Sequence, residues 1–246
     1  MLYTYSLVMK KIIILLLFIT STAFSQNEFT KPAYKNGHTF DATVSGGAYR
    51  IQGTLSWSHL HGFGKKEQRF KVGYGLRYSS FFGSNLFYTT APAKYTSGEA
   101  KIDTLSLIDA QVNALNISLH LQYTLFKKLD LGFNIDAIGF SFGAEQQGSI
   151  LSSSLDTSNP PVAKAKPSAF NLLLIGNNDK GSLISEFYVR YWINSKWAIK
   201  GGFNYFFSEY TTEKPLSFNN GTVVNDRYRN KSSMGFLSVS FKPFNK

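Results

Sequence analysis

The chain has 246 residues, no cysteine and a formal net charge of +11, and 16% of its residues are aromatic. This length allows one large β domain or two small ones. The absence of cysteine excludes a disulfide framework, a thiolate metal site and a cysteine nucleophile.

The N-terminal segment has the features of a secretory signal peptide. Lys10 and Lys11 precede an apolar run at 12–19, and a small-x-small cleavage site ends at Ser25. The apolar run is too short for a membrane helix, which needs about 20 residues. We therefore expect residues 1–25 to be removed during secretion.

After this segment we expect a short periplasmic lead at 26–37 and a single barrel domain at 38–246. Apolar and polar residues alternate in eight segments of that domain. Because a strand turns successive side chains to opposite faces, each segment is predicted to be a strand with one apolar and one polar face. The predicted strands are 39–45, 49–58, 70–79, 113–126, 129–143, 185–192, 197–207 and 235–241.

The strand at 113–126, NALNISLHLQYTLF, has the longest unbroken alternation. It is long enough to cross a bilayer as a tilted strand, which needs roughly 9–11 residues. Its apolar face carries Leu115, Ile117, Leu119 and Leu121.

The connections between the predicted strands alternate in length. Short turns, such as Lys127-Lys128, follow the second, fourth and sixth strands, and long connections follow the third, fifth and seventh, at 82–109, 144–180 and 209–230. The first hairpin, at Gly46-Gly47, is the exception with a short connection. This asymmetry is typical of barrels with short periplasmic turns and long extracellular loops. We predict an all-β fold: a single eight-stranded antiparallel up-and-down transmembrane β-barrel with three long extracellular loops.

A soluble lipocalin-like barrel is the alternative, because its strands also alternate apolar and polar residues. In such a barrel the apolar face points inward around a ligand. Two features favour the membrane. The apolar face is very large, and aromatic residues gather near strand ends, as expected at the two membrane interfaces. These aromatic residues are Trp57, Tyr78, Tyr123, Tyr191, Trp197, Phe207 and Phe241.

The signal peptide, the alternating strands and the final GFLSVSFKPF resemble the small outer-membrane β-barrel proteins of Gram-negative bacteria, of the OmpA/OmpX-like type. The Ser25-Gln26 junction and the many Tyr, Phe and Asn residues resemble members from the Bacteroidetes. The resemblance implies a location in the outer membrane. It also implies that Leu237, Val239 and Phe241 match the alternating apolar positions of the C-terminal signal read by the barrel-assembly machinery.

The polar faces of the predicted strands carry charges of both signs. An eight-stranded barrel has an interior about filled by side chains, so these charges would form a buried network. We expect a closed polar plug, since buried charges must be paired, with a narrow ion path or small-ligand transporter as the alternative. The predicted network is Arg50, Lys71, Arg77, His120, Asp130, Asp136, Glu186, Arg190 and Lys200.

His120 is the strongest candidate for catalysis, because Ser118 shares its face and a lipid-modifying enzyme could use such a pair. Neither residue lies in a recognisable motif, so we expect a hydrogen-bonded interior histidine and no enzyme. His59 and His61 share a strand face, but two histidines without a third ligand do not indicate a metal site. We expect no metal and no cofactor.

The long connections are the expected interaction surface for an extracellular ligand or protein. Lipopolysaccharide phosphate is the expected counter-charge for Lys94, Lys101, Lys164, Lys166 and Lys180, and nucleic acid is not an expected partner. The middle of the connection at 144–180 is polar and rich in proline, which predicts a mobile segment. It is followed by the apolar run FNLLLI at 170–175, which could contact a partner or fold over the mouth.

Overall fold

The structure, a computed structural model, describes residues 37–63, 68–92, 102–174 and 178–243. The predicted signal peptide lies outside these residues, as does the predicted lead up to residue 36. Within the described ranges, no helix is long and apolar enough to cross a membrane.

The described residues form eleven strands in one antiparallel sheet, so the prediction of an all-β antiparallel fold is confirmed. The strands are β1 (Gly37–Gly47), β2 (Arg50–Phe63), β3 (Phe70–Thr90), β4 (Thr104–Phe126), β5 (Leu129–Phe142), β6 (Gln146–Leu151), β7 (Val162–Pro167), β8 (Phe170–Leu172), β9 (Leu183–Trp192), β10 (Trp197–Phe218) and β11 (Val223–Phe241).

Eight of these strands pair into a closed ring. The order is β1, β2, β3, β4, β5, β9, β10 and β11, and β11 pairs back onto β1. Each of the eight predicted segments lies on one of these strands, apart from a residue or so at some ends. We call the end of the ring with the Lys127-Lys128 turn the lower end, and the end with the β1–β2 turn the upper end.

A narrower ring of six strands continues above the first. The β1–β2 hairpin ends early, and above it β3 pairs directly with β11, with Thr90 opposite Tyr228. On the other side β6 and β7 take the places of β5 and β9, because β6 pairs with β4 and β7 pairs with β10. The short first hairpin is therefore where the sheet narrows from eight strands to six.

The predicted long loops are wrong in their extent, because strands occupy a large part of each. β3 continues to Thr90 and β4 begins at Thr104. β10 and β11 are joined by a tight turn, in which Asn219, Asn220 and Gly221 have φ of 54°, 55° and 79°. Asn and Gly tolerate this left-handed conformation, which hairpin turns require.

The connection at 144–180, the middle of which is predicted to be mobile, contains β6, β7 and β8. β8 pairs with the upper end of β5, with Phe170 opposite Phe140. Of the apolar run FNLLLI, Ile175 lies outside the described residues. The described part extends the sheet beside β5, because the Leu173 amide donates to the Ala137 carbonyl at 2.8 Å.

An irregularity in the β3–β4 pair interrupts the two-residue period in the upper part of both strands. Asn85 has a φ of 54° and stands between the pairs Ser84–Asp109 and Leu86–Leu107. The inward-facing position after Gly83 is therefore Leu86, three residues further on instead of two, which breaks the two-residue period. A sequence pattern based on strict alternation ends at such a point.

Candidate functional site

The two faces of β4 exchange polarity part of the way along the strand. In its lower part the exterior positions are Leu115, Ile117, Leu119, Leu121 and Tyr123, and the interior positions are Asn116, Ser118, His120, Gln122 and Thr124. In its upper part the interior positions are Ala114, Val112, Ala110, Leu107 and Leu105, and polar residues such as Asn113 and Gln111 face the exterior. The strand is therefore apolar outside and polar inside in its lower part. In its upper part the interior is apolar and the exterior is mostly polar, with Ile108, which is 70% exposed, as the apolar exception.

The neighbouring strand β3 changes at the same level. Tyr78 is the last residue of its lower apolar exterior face, and it pairs with Leu115. Ser80, one exterior position higher, pairs with Asn113. The hydroxyl groups of Tyr78 and Ser80 donate to the Asn113 side-chain oxygen at 3.1 and 2.8 Å, so polar groups mark this boundary on the exterior.

The lower exterior is apolar around the whole ring. Each of its eight strands contributes exposed large apolar side chains. They include Phe40, Val44, Leu55, Leu76, Tyr78, Ile117, Leu119, Leu121, Phe133, Phe187, Val189, Ile199, Phe203, Tyr205 and Leu237.

The lower interior holds a chain of buried ion pairs. Arg77 lies 2.9 Å from Asp136 and 3.6 Å from Glu186. Lys200 bridges Glu186 and Asp41 at 3.2 and 3.0 Å. Arg190 continues the chain by donating to both oxygens of Asp41 at 3.1 and 2.9 Å.

Asp41 joins two cations of this network and is not among the residues predicted for it from the sequence. The alternation placed Asp41 on the polar face of its strand, which is the signal that could have identified it. Buried amides were missed as well. Asn134 accepts from Arg77 and donates to Glu186, and Asn116 donates to Asp136 at 2.8 Å.

The other predicted network residues lie at different levels. Asp130 is buried near the lower end, where it accepts from Trp192 Nε1 at 2.7 Å. Lys71 is buried at the same end. Arg50 is not brought into the ion-pair chain; it is half-buried near the upper turn and donates to Ser232 at 2.7 Å.

His120 and Ser118 are within hydrogen-bond distance, at 2.9 Å, and both side chains are buried inside the ring. No carboxylate hydrogen-bonds to His120 among the described residues. The pair is therefore placed as part of the packed polar interior.

The upper interior is a hydrophobic core that lies directly above the ion pairs. The rings of Phe81 and Phe206 lie 4.8 Å apart, and those of Tyr88 and Tyr210 lie 5.1 Å apart. The Tyr210 hydroxyl donates to the Gln111 carbonyl at 2.9 Å, and burial raises the pKa of Tyr210 to about 12. These side chains are fully buried, so they fill the upper ring.

Two clusters lie on the outward-facing side of the sheet, the first of them largely buried. Just above the apolar surface, Glu209 accepts from Arg227 and Arg229 at 2.8 Å each, and the Arg229 guanidinium stacks over Phe207. Near the lower end, the ring of His59 lies 4.4 Å from those of His38 and His61. Despite this proximity, the described part of the chain holds no group of three or more His, Asp or Glu side chains suited to a metal ion.

The remaining predicted residues are exterior. Leu237 is 69% exposed on β11, and Phe241 stacks against Trp197 with centroids 4.5 Å apart. Lys164 and Lys166 are exposed beside Glu145, at 3.1 and 3.4 Å. Val239 is partly exposed on the same face as Leu237, and Lys180 is exposed at the bridge to β8. Lys94 and Lys101 lie outside the described residues.

No protein-family model matches the chain, and no curated protein matches it. Among solved structures, it is similar to the outer membrane protein Ail of Yersinia pestis in a phospholipid bilayer nanodisc, at 9% identity and a TM-score of 0.32, covering 84% of this chain and 99% of that chain. It is also similar to a Pseudomonas aeruginosa FadL homologue (10% identity, TM-score 0.20, 78% of this chain and 68% of that chain). A third similar structure is the CymD monoaromatic hydrocarbon channel (9% identity, TM-score 0.20, 86% of this chain and 90% of that chain). These similar structures are outer-membrane β-barrels.

Proposed function

We propose that this chain is an outer-membrane β-barrel protein with a closed interior, whose role is structural or interaction-based. In this proposal it is of the OmpA/OmpX-like type, from a Gram-negative bacterium of the Bacteroidetes. The observation that supports the location in a membrane is the exchange of polarity between the two faces of β4 at the level of Leu115 and Asn113.

The apolar exterior requires an apolar solvent. Leaving one large apolar side chain in water, compared with burying it, costs about 1.5–3 kcal/mol, and every strand of the ring exposes such side chains below the boundary. A soluble ligand-binding barrel would instead be apolar inside at this level. The interior here carries Asp41, Arg77, Glu186, Arg190 and Lys200.

The height of the apolar exterior fits one bilayer. It runs from Phe70 to Tyr78 on β3 and from Leu115 to Tyr123 on β4, which is nine residues on each strand. A tilted transmembrane strand needs about 9–11 residues. The lower ring would therefore cross the membrane with its short turns in the periplasm, and the upper ring would stand outside the cell.

The upper ring would present the interaction surface. Its exterior carries the exposed lysines Lys164, Lys166 and Lys180, with Glu145 beside the first two. In this proposal these lysines contact the phosphates of lipopolysaccharide, and the upper ring receives an extracellular ligand or protein. During insertion, the barrel-assembly machinery would read Leu237, Val239 and Phe241.

Cell fractionation tests the location. We expect the protein in the outer-membrane fraction, with faster gel mobility unheated than boiled, because a closed hydrogen-bonded ring resists detergent. Recovery in the soluble periplasm, with no such mobility difference, would contradict the proposal.

The closed interior predicts that the protein does not conduct. Any path would have to cross the buried ion pairs and then the core around Phe81, Phe206 and Tyr210. In planar bilayers we therefore expect no steady discrete openings from the purified protein. Such openings would favour the alternative of a narrow channel or small-ligand transporter.

The burial of His120 and Ser118 also supports a role without catalysis, since neither side chain is open to a lipid substrate. We expect no turnover when the purified protein is incubated with lipid A or phospholipid. Activity that is lost in His120→Ala would identify a lipid-modifying enzyme instead.

A further inference from the structure

One side of the upper ring carries exposed apolar side chains on four strands of the narrower ring. These four side chains are between 48% and 70% exposed. They are Phe87 on β3, Ile108 on β4, Leu151 on β6 and Val162 on β7. We call these residues, together with the outward-facing positions between them, the upper patch.

Strand pairing makes the upper patch contiguous. Phe87 pairs with Ser106, which pairs with Ser149. Ser149 in turn pairs with Val162, so one row of outward-facing residues crosses all four strands. The outward-facing positions of β3, β4 and β6 at this level carry no charge: Asn85, Phe87, Thr89, Thr104, Ser106, Ile108, Gln147, Ser149 and Leu151. A contiguous apolar patch with polar residues around it marks a site of contact with another molecule.

The opposite side of the upper ring is different. There β10 and β11, which lie across the ring from β4 and β6, expose Glu213, Lys214 and Val224. The outward side of the same two strands also carries the ion pairs of Glu209 with Arg227 and Arg229. A patch confined to one side of the ring indicates a partner that approaches from that side.

The charges at the border of the upper patch favour a second copy of this chain as the partner. Asp109 on β4 and Lys164 on β7 are both exposed, and they lie on opposite sides of the seam at which β4 pairs with β6. A two-fold axis along this seam brings Asp109 of each copy towards Lys164 of the other, in two equivalent contacts. Lys164 also contacts Glu145 at 3.1 Å, so in a dimer it lies between two carboxylates.

The orientation of the two copies follows from the proposed membrane location, on which this inference rests. Two copies in one membrane stand upright in the same direction, so a two-fold axis that relates them runs along the membrane normal. Equal heights of the two rings then face each other, and the upper patch of one copy meets that of the other. Short Ser106 and Ser149 at the centre, with larger Phe87 and Val162 at the flanks, flatten the curved exterior and suit this contact.

The area suffices for a stable dimer when the membrane-spanning face is included. Strand spacing and rise give the upper patch about 300 Å². The apolar exterior that continues below it, nine residues long on β3 and on β4, adds about 500 Å² over four strands. A stable interface buries about 800 Å² on each partner. The upper patch supplies the driving force, because lipid chains solvate the lower exterior as well as another apolar surface does.

We propose that the upper patch is the interface of a homodimer in the outer membrane, with its two-fold axis along the seam between β4 and β6. Ile108 and Ser149 lie on the two sides of this seam and face the second copy. Val224, on the opposite side of the ring, points away from it.

Single-cysteine crosslinking tests the interface, because the native chain has no cysteine. Outer membranes that contain Ile108→Cys or Ser149→Cys are treated with a short bis-maleimide, and we expect a covalent dimer of twice the mass of the chain. The matched control is Val224→Cys, which replaces an exposed aliphatic residue on the opposite side and should stay monomeric. A monofunctional maleimide shows whether the three cysteines are equally reactive.

An equal yield of dimer from Val224→Cys would indicate random collision and would overturn the proposal. Monomer alone from both patch variants, or a crosslink to a different protein, would also overturn it. Adding Ile108→Asp to Ser149→Cys should lower the yield of dimer about tenfold or more, because it places two further carboxylates at the seam. Adding Val224→Asp instead should leave the yield unchanged, and equal effects of the two aspartates would contradict the interface.

Cell fractionation and unheated gel mobility, read on the same samples, separate this inference from the proposed location. Folded protein that stays monomeric in the outer-membrane fraction refutes the dimer alone. Recovery in the soluble periplasm refutes the membrane location, and with it the orientation on which the dimer depends.

Discussion

Replacing Asp41 with asparagine should lower the free energy of unfolding by about 3–5 kcal/mol, because it leaves buried cations without their partner. Arg190 contacts both Asp41 oxygens, and Lys200 contacts one at 3.0 Å. After the change, Lys200 retains Glu186, whereas Arg190 has no carboxylate within ion-pair distance in the described residues. Urea-induced unfolding in phospholipid vesicles, followed by tryptophan fluorescence, measures the loss.

The matched control is Glu213→Gln, which removes an exposed carboxylate on β10 and should change stability by no more than about 0.5 kcal/mol. A double variant sharpens the test. Arg190→Met in the Asp41→Asn background removes the cation that Asp41→Asn leaves without a carboxylate, so the two costs should be less than additive by about 0.5–3 kcal/mol. Equal costs for Asp41→Asn and Glu213→Gln would show that the ion-pair chain is not a stabilising unit.

Leu119→Arg should destabilise the vesicle-inserted protein by about 2–4 kcal/mol, the cost of a cation at the midplane of a bilayer. Leu119 is 50% exposed and lies near the middle of the apolar exterior. The same measurement of unfolding in vesicles applies, because the cost arises only where the exterior face contacts lipid.

Gln111→Arg is the control on the same face of the same strand. Gln111 lies on the upper, polar side of the boundary at Asn113, so a new arginine there should cost about 0–1 kcal/mol. A soluble fold would expose both positions to water, and both substitutions would then have similar small effects. Similar values for the two variants would therefore falsify the membrane proposal.

The outward and inward faces of the lower strands could be predicted, because successive residues lie alternately outside and inside the ring and differ in polarity accordingly. Leu119 and His120 illustrate this: adjacent residues point to opposite faces, and the sequence alone separates the exposed leucine from the buried histidine. The same reasoning identified the eight segments of the ring. It could not identify β6, β7 and β8, which are short and lie in a stretch without strong alternation.

The partners within the interior could not be predicted, since they depend on register and ring closure. Asp41 and Arg190 are 149 residues apart in sequence, and they meet because β1 closes the ring against β11. Arg50 lies on the same, inward face of its strand as the polar interior residues, but it is at the upper turn, where its strand begins. Whether a residue is at an odd or an even position along a strand determines the face on which its side chain lies. Strand pairing in the folded chain determines its level along the ring and its neighbours.

The amino-acid sequence by itself determined that this chain folds as long antiparallel strands with one apolar face and one polar face. The tertiary structure decided how far each strand continues and where along it the two faces exchange polarity. On β4, Leu115 to Tyr123 face outward, yet the apolar residues just above them, Ala114 and Val112, face inward. In the sequence this change looks like the end of a strand, because the apolar residues change from odd-numbered to even-numbered positions. In the folded chain the strand continues, and the apolar side chains move to the interior because above the boundary only the interior shields them from water.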